Sequence, residues 1–328
     1  MADVLVLVVG ECLVDLAPAG EAPQGIAGRS YLALPGGSPA NVAVGLARLG
    51  VRTGFAGRFS AEGFGPWLRE HLSSNGVDLS ASVDATEPAT LAVVTLDAER
   101  RASYTFYGPE TADWQWSVGE LPVPTSGFGA VHTGSLATTF EPGASVLAKW
   151  LGAVRDSGGT VVSFDPNVRA GLVGDLTAYR DRLEQLVACA HIVKASDDDL
   201  AVAYPGSGVE KVAESWLSEG AALVVVTEGP RGARAFHSTG AQATCAPPEV
   251  DVADTIGAGD AFSAGLLTYL ASTGALTPQG VASLSRGELV RAISYAVAAS
   301  AFTCTRPGAD PPTETELATF CKLVAPRC

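Results

Sequence analysis

The stretch "VLVLVVG" at residues 4–10 is apolar at six consecutive positions and stops at a glycine. An unbroken apolar run, as opposed to an alternating one, is typical of a strand that is covered on both faces. Runs of the same kind recur as "AVHTG" (130–134), "TVVSFDP" (160–166), "HIVKAS" (191–196) and "ALVVVTEG" (222–229). Together they predict a parallel sheet sandwiched between helices.

Helical segments separate these runs. In "GGSPANVAVGLARLG" (36–50), Ser38 is suited to the N-cap and Pro39 to the first helical position. Gly50 is suited to the left-handed conformation that ends a helix. "DLTAYRDRLEQLVACA" (175–190) and "ELVRAISYAVAASAF" (288–302) are further amphipathic segments. The alternation of strands and helices predicts a doubly wound, mostly parallel α/β core. We assign residues 1–11, 36–87 and 109–328 to it.

Two other segments have extended patterns without long helical partners. They cover residues 12–35 and 88–108 and include "ATLAVVTLD" and "ASYTFYG". We expect them to form a small β-sheet lid that stands off the main sheet.

The charge balance limits the partners. Lys and Arg total 21 against 35 Asp and Glu, a formal net charge of −14, and no basic run is present. Nucleic acid and anionic membranes are therefore not expected partners. A phosphate-bearing ligand must be held by backbone dipoles, a metal ion or a few placed cations.

The cysteines and the N-terminus indicate a cytoplasmic protein. The six cysteines form no C-x-x-C pair and have no histidine at metal-ligand spacing, so we expect reduced, mostly buried thiols. They are Cys12, Cys189, Cys245, Cys304, Cys321 and Cys328. The first apolar run lacks the basic start and the cleavage site of an export signal. No stretch approaches the length of a transmembrane helix.

Polar residues follow several of the apolar runs. Because ligands of α/β sheets lie beyond the carboxyl ends of the strands, these residues are candidates for one common site. They are Glu11 and Asp15, then Asp165, Asn167 and Arg169, then Ser196, Asp197 and Asp199, then Thr227, Glu228 and Gly229.

The stretch "DTIGAGDAF" (254–262) places an acid directly after a glycine turn. A purely structural role is a helix start in which Asp260 stabilises the first turn. A dinucleotide fingerprint is excluded because Phe262 stands at the third glycine position, and a P-loop because the chain has no Gly-Lys pair. A hydrolase elbow around Ser263 is improbable because all four histidines precede it.

The remaining interpretation is an anion hole with a base beside it. The N–H groups of Gly257, Ala258 and Gly259 would converge on a phosphate at the helix N-terminus. Asp260 would reach the hydroxyl group that attacks that phosphate. Phosphoryl transfer needs little more from a protein than alignment, charge stabilisation and a proton acceptor.

With these motifs, the chain resembles the ribokinase (PfkB) family of carbohydrate kinases. The resemblance rests mainly on "GGSPANVAVGLARLG" (36–50) and "DTIGAGDAFSAGLL" (254–267). Between and before them, in family order, are "GECLVDL" (10–16), "DPNVR" (165–169), "KASDDDL" (194–200) and "VVVTEGPRGA" (224–233). The resemblance implies a ribokinase-like fold and a sugar kinase that depends on ATP and Mg²⁺.

The resemblance also implies roles for individual residues. Asp260 is the expected catalytic base, with Gly257, Ala258 and Gly259 as the anion hole. The expected sugar contacts are Asp15, Gly36, Gly37, Asn41, Asp165 and Arg169, with Tyr104 and Phe106 closing from the lid. The expected nucleotide contacts are Lys194, Ser196, Thr227, Gly229 and Gly232.

Two cation sites are implied less directly. In "KASDDDL" the usual Asn and Glu of the family are replaced by the shorter Ser196 and Asp199, so Asp199 would contact Mg²⁺ through water. Asp254 and "TRPGADPP" (305–312) resemble a monovalent-cation loop. Its terminal serine position is Pro312, which has no hydroxyl. Activation by K⁺ and a simple N-cap role for Asp254 both stay open.

The substrate is expected to be D-fructose, because these motifs together with "TADWQW" (111–116) look most like bacterial fructokinases. Arg169 keeps a 2-keto-3-deoxygluconate kinase open, since a guanidinium group can pair with a carboxylate. It suits ATP phosphate or a structural ion pair equally. A nucleoside kinase and a catalytically idle, sugar-binding regulatory homologue are further alternatives. Aromatic residues on the lid, including Tyr107, suit either closure over the sugar or a homodimer through the lid.

Overall fold

A computed structural model describes residues 4–21, 28–96, 102–108, 110–124 and 127–324. The strands are β1 (Leu5–Val9), β2 (Leu13–Glu21), β3 (Arg29–Gly36), β4 (Arg52–Ala56), β5 (Arg58–Ser60), β6 (Val83–Ala85), β7 (Leu91–Leu96), β8 (Ala102–Tyr107), β9 (Ala130–Gly134), β10 (Val161–Asp165), β11 (Ile192–Ser196), β12 (Leu223–Thr227), β13 (Ala233–His237) and β14 (Gln242–Cys245). The helices are α1 (Ser38–Arg48), α2 (Gly65–Ser74), α3 (Gly143–Asp156), α4 (Leu176–Cys189), α5 (Asp197–Ala203), α6 (Val209–Ser218), α7 (Ala258–Ser272), α8 (Pro278–Ala282), α9 (Arg286–Cys304) and α10 (Glu314–Leu323).

The main sheet has eight strands in the order β14-β13-β12-β11-β10-β9-β1-β4. Its pairs are parallel from β12 to β4, and β13 is antiparallel to both of its neighbours. In β1, Val6 and Val8 pack into one hydrophobic cluster, whereas Leu7 and Val9 pack into another on the opposite face. The predicted doubly wound, mostly parallel sheet is therefore confirmed.

A separate four-stranded sheet forms the lid, in the order β3-β2-β7-β8. Its two hairpins are antiparallel, and they are joined through a parallel pairing of β2 with β7. A small cluster that contains Leu13, Ala92, Trp114 and Leu136 packs the lid against the core. Positions 22–27 and 97–101 of the predicted lid segments lie outside the described residues, and the exact limits of lid and core stay a prediction.

Small residues let α7 pack closely between α1 and α9. A Cβ atom on Gly45 of α1 would lie 2.8 Å from the Cβ of Ala264 in α7. A Cβ atom on Gly265 would lie 3.0 Å from the Cα of Ala296 in α9. These close contacts fix the position of α7, whose first turn carries the glycine-acid motif.

The start of α1 differs from its predicted cap. Gly37, with φ of 103°, is the N-cap, and no side chain caps this helix end. Ser38 is the first helical residue. Its hydroxyl group does not cap the helix but donates to a side chain of α7. Gly50 has φ of 82°, in agreement with its predicted left-handed conformation.

The cysteines depart from the expected set of reduced, buried thiols. Cys245 is disulfide-bonded, so that expectation is wrong at this position. Cys12 is free and buried, Cys189 and Cys304 are free and half-buried, and Cys321 is free and exposed. Cys328 lies outside the described residues. None of the helices in the described part of the chain has the length and apolar character of a membrane span.

Replacing Gly45 by alanine should destabilise the protein although alanine favours helices. The added methyl group would overlap Ala264, and overpacking of this kind costs about 1–3 kcal/mol of unfolding free energy. The matched control is Gly152→Ala in α3, where no atom lies within 4 Å of the added carbon. The control should gain about 0.5–1 kcal/mol from helix propensity. Urea unfolding measures both. Equal stabilities of the two variants would contradict the close approach of α1 and α7.

Candidate active site

A cavity of about 890 Å³ lies between the lid and the carboxyl ends of the central strands. In the main sheet, β4 lies on one side of β1 and β9 lies on the other, so the strand order reverses at β1. Ligands of open α/β sheets bind at such a reversal. The core contributes Glu11, Ser135, Asn167 and Lys194, the lid contributes Leu13, Asp15, Tyr104, Thr105 and Phe106, and the start of α7 contributes Gly257, Gly259 and Asp260.

Asp260 lies in the first turn of α7, and both of its carboxylate oxygens are held by α1. The hydroxyl group of Ser38 donates to Oδ1 at 2.6 Å, and the amide of Asn41 donates to Oδ2 at 2.8 Å. Burial raises the pKa of Asp260, while the two donors and the charge of Lys194 act in the opposite direction. The result is an oriented carboxylate that retains the capacity to accept a proton.

The turn before α7 opens toward the cavity. Gly257 is its N-cap with φ of 74°, and a Cβ atom there would lie 2.6 Å from the Cβ of Ala309. Gly257 and Gly259 line the cavity. The N–H group of Ala258 donates to the carbonyl of Thr255 at 3.2 Å, so this predicted donor is used inside the turn. The N–H groups of the glycines on either side of it remain the candidate donors for an anion.

A buried ion pair lies beside this turn. Nζ of Lys194 donates to Oδ2 of Asp165 at 2.8 Å, and both side chains are buried. Burial alone would lower the pKa of Lys194, but the charges of Asp165 and Asp199 outweigh it and raise the pKa. A Cβ atom on Gly259 would lie 3.0 Å from Nζ, so the ammonium group rests against the helix start.

Asp199 is buried, and both of its oxygens accept backbone hydrogen bonds. The donors are the N–H groups of Val168 and Ser196, each at 2.7 Å. Burial also raises the pKa of Asp199. Within the described ranges, no group of three or more His, Cys, Asp or Glu could hold a metal ion. The residues present fit Mg²⁺ that is bound mostly by phosphate oxygens and water, which is the usual arrangement for this ion.

The lid carries Asp15 opposite Arg169. Burial raises the pKa of Asp15 to about 6, with Arg169 opposing the rise and Asp260 adding to it. A Cβ atom on Gly36 would lie 2.2 Å from Oδ2 of Asp15, so the carboxylate lies directly against this glycine. Arg169 donates to Oδ1 of Asn167 at 2.7 Å, which orients the guanidinium group. The arrangement suits a small polyhydroxyl ligand.

The lid aromatics differ in their exposure. Tyr104 and Phe106 both line the cavity, and their rings stack with a centroid distance of 6.1 Å. Tyr107 is 61% exposed, and Leu32 of β3 is 55% exposed. Cavity-lining and exposed aromatic residues thus both occur on β8.

Several predicted residues do not line the cavity: Gly36, Asp165, Ser196, Asp199, Thr227, Gly229, Gly232, Asp254 and Ala258. Ser196 pairs with Thr227 at the carboxyl ends of β11 and β12, beside the ion pair. A Cβ atom on Gly232 would lie 1.9 Å from the carbonyl oxygen of Cys245, so the packing of β14 already requires this glycine. The carboxylate of Asp254 accepts the N–H groups of Thr255 at 2.7 Å and Gly308 at 2.9 Å.

The cavity also has residues for which no specific chemical role was predicted. Ser38 was interpreted as a cap, and Glu11 and Asn167 were singled out only as residues that follow strands. Ser135 had no signal in the sequence. Oε2 of Glu11 accepts the N–H group of Ala137 at 3.1 Å, and Oε1 has no hydrogen-bond partner among the described residues. Burial raises the pKa of Glu11 to about 7.

Known proteins resemble this chain in both sequence and architecture. A fructokinase from Klebsiella pneumoniae is 38% identical over 280 residues, which are 85% of this chain and 87% of the relative. The crystal structure of a fructokinase from Xylella fastidiosa with bound ATP superposes with a TM-score of 0.88 at 27% identity. It covers 98% of this chain and 99% of its own.

A fructokinase double mutant from Vibrio cholerae, solved with fructose, ADP and potassium ion, has a TM-score of 0.80 at 28% identity and covers 98% of each chain. The sequence pattern of the pfkB family of carbohydrate kinases matches residues 3–316. This chain belongs to the pfkB family of carbohydrate kinases.

Proposed function

We propose that this protein is a fructokinase, which transfers the γ-phosphoryl group of ATP to the 6-hydroxyl group of D-fructose. The observation that carries the proposal is the carboxylate of Asp260, held by Ser38 and Asn41 at the start of α7 and facing a cavity. The similarity to fructokinases over most of the chain supports the choice of sugar.

The cavity orients the sugar. Asp15 of the lid accepts hydrogen bonds from sugar hydroxyl groups, with Gly36 and Gly37 allowing the close approach. Asn41 and Arg169 contribute donors, and Tyr104 and Phe106 cover the sugar from the lid. Closure of the lid excludes water that would otherwise accept the phosphoryl group.

Asp260 accepts the proton of the sugar hydroxyl as that oxygen attacks the γ-phosphorus. The N–H groups of Gly257 and Gly259 and the ammonium group of Lys194 stabilise the negative charge of the transferring group. Because the donors are fixed before substrate binds, little reorganisation is needed during the reaction.

ATP supplies the phosphoryl group, and Mg²⁺ would neutralise its charge. Ser196, Thr227, Gly229 and Gly232 are the proposed contacts for the nucleotide, and Asp199 would reach the metal through water. The K⁺ ion of the Vibrio cholerae relative supports activation by a monovalent cation, and Asp254 with residues 305–312 is the proposed site. We further propose a cytoplasmic enzyme that forms a homodimer through the exposed face of the lid, where Leu32 and Tyr107 lie.

The substrate assignment is tested by measuring ADP release with fructose, ribose, 2-keto-3-deoxygluconate, tagatose and adenosine, each with and without K⁺. Fructose should give the highest kcat/KM. A higher value for the keto acid would reassign Arg169 to a substrate carboxylate. No sugar-dependent release with any of them would favour the idle regulatory homologue.

Asp260→Asn should lower kcat by about 10²–10⁴-fold, because an amide cannot accept the proton of the sugar hydroxyl. Nucleotide affinity, measured by calorimetry, should stay near that of the unmodified protein. The matched control is Asp198→Asn, which changes an exposed carboxylate of α5 and should leave kcat unaltered. Turnover of Asp260→Asn at the unmodified rate would contradict the mechanism.

Gly36→Ala should raise the KM for fructose and leave the KM for ATP unchanged. The methyl group would occupy the position of the Asp15 carboxylate, 2.2 Å away, and displace it from the sugar. Because a lost hydrogen bond to a charged group costs about 1.5–3 kcal/mol, we expect an increase of about tenfold or more. Steady-state kinetics with each substrate varied in turn tests this. A parallel rise of both KM values would argue against a sugar-specific role.

Activity should fall as the pH drops through about 6, the pKa to which burial raises Asp15. Asp15 and Asp260 both act as ionised acceptors, and their raised pKa values mean that they gain protons at a higher pH than free carboxylates do. The pH profile of kcat/KM for fructose reports this. In Asp15→Asn the contribution of Asp15 should disappear, and an identical profile in that variant would contradict its role.

A further inference from the structure

The lid joins the core at one buried cluster of hydrogen bonds. We call it the lid-root cluster, and it consists of Cys12, Thr90, Gly108, Thr111 and Asp113. Cys12 lies directly before β2, Thr90 directly before β7 and Gly108 directly after β8. Three of the points at which the chain passes between core and lid are therefore connected to Asp113, either directly or through the threonine hydroxyl groups.

The contacts of the lid-root cluster form a continuous chain. Oδ1 of Asp113 accepts the N–H group of Cys12 at 2.9 Å, and Oδ2 lies 2.5 Å from the hydroxyl oxygen of Thr90. That hydroxyl oxygen lies 2.5 Å from the hydroxyl of Thr111, which donates to the carbonyl of Gly108 at 2.7 Å. Asp113 is 1% exposed and Thr90 is 0% exposed, so bulk water cannot replace these partners.

Asp113 is the acceptor at one end of this chain. The hydroxyl group of Thr90 donates to its Oδ2, while the hydroxyl group of Thr111 donates to Gly108 at the other end. Burial raises the pKa of Asp113 to about 6, and the hydrogen bonds from Thr90 and Cys12 act in the opposite direction.

The segment that carries Asp113 is itself fixed to the core. Nε of the buried Arg58 donates to the carbonyl of Ala112 at 3.1 Å, and the same guanidinium group pairs with Glu87 and Glu120. The ring of Trp114 donates to the carbonyl of Gly108 at 2.6 Å. Arg58 thus fixes the segment that carries Asp113 to the core, and Trp114 links the same segment to Gly108 a second time.

We propose that Asp113 is the positioning residue of the lid: through its hydrogen bonds it holds the roots of both hairpins and thereby places Asp15 and Tyr104 over the sugar. Asp113 does not line the cavity, so it acts only through the lid. The kinetic part of the test rests on the proposed function, whereas the exchange measurement below does not.

The test compares Asp113→Asn with Asp113→Leu. In Asn, the carbonyl can accept from Cys12 and the amide can donate to Thr90, so the chain of hydrogens is complete and the KM for fructose should stay within about twofold of the unmodified value. Leu has a similar size and neither group. Because the buried groups of Cys12 and Thr90 lose their partner, the KM for fructose should rise about tenfold, which corresponds to about 1.4 kcal/mol.

Two further readouts separate lid positioning from general damage. In Asp113→Leu the KM for ATP should not change, since Lys194 and α7 belong to the core, and sugar-independent ATP hydrolysis should rise because the lid admits water. The control is Thr160→Val, which removes a buried hydroxyl that donates to Phe128 at the opposite end of β10 from the cavity. It should lower stability without changing the KM for fructose.

Hydrogen exchange of the amides in β2, β7 and β8 tests the same idea without catalysis. Exchange should be faster in Asp113→Leu and unchanged in Asp113→Asn and Thr160→Val. If the unmodified protein lacks fructokinase activity but shows this pattern, the proposed function fails and the role of Asp113 stands. The role is overturned if Asp113→Asn is as impaired as Asp113→Leu, or if Asp113→Leu behaves like Thr160→Val.

Should Asp113→Leu fail to fold, Thr111→Val provides a milder break in the same chain. It keeps the contact of Asp113 with Cys12 and removes the hydroxyl link to Gly108, whose carbonyl still accepts from the ring of Trp114. We expect about a threefold rise in the KM for fructose and faster exchange in β8. Unchanged values of both would overturn the proposal.

Discussion

The active site depends on a pair of hydrogen bonds that connect the two ends of the chain. Ser38 and Asn41 of α1 hold the carboxylate of Asp260, which lies 222 and 219 residues further along. The geometry requires α1 and α7 to lie close together, and Gly45 beside Ala264 makes this possible. A bulkier residue at this contact would move the carboxylate of Asp260 away from its two donors. Helix packing in the core and orientation of this carboxylate are therefore one constraint.

Asp260 also belongs to a buried cluster of charged residues. Asp165, Asp199 and Asp260 surround a single buried ammonium group, that of Lys194. Burial raises the pKa of Asp199 and of Asp260, but both carboxylates also accept hydrogen bonds that favour the charged form. The chain as a whole carries a net charge of −14, so a phosphate group cannot rely on long-range attraction. Lys194 and the N-terminus of α7 are instead the local donors near this position.

Much of the fold follows from patterns that are local in sequence. The five apolar runs became β1, β9, β10, β11 and β12, because uninterrupted apolar strands need cover on both faces. The glycine-acid turn was equally predictable, since Gly257 requires a left-handed backbone conformation at the start of a helix. The partners of Asp260 were not predictable from spacing. Ser38 has the sequence of an N-cap, and only the packing of α7 against α1 explains why its hydroxyl turns to a carboxylate instead.

The wall of the cavity shows where sequence patterns carry no information. Ser135 and Asn167 have φ of 57° and 41°, conformations that cost non-glycine residues free energy, and they are hydrogen-bonded to each other at 3.4 Å. Asn167 also binds Arg169, and its N–H group donates to Asp165 at 3.1 Å. Such backbone strain persists only where the surrounding contacts determine it. Because these contacts come from β9 and β10 together, the strained residues are a property of the assembled sheet edge, and they orient the guanidinium group of Arg169 at the cavity wall.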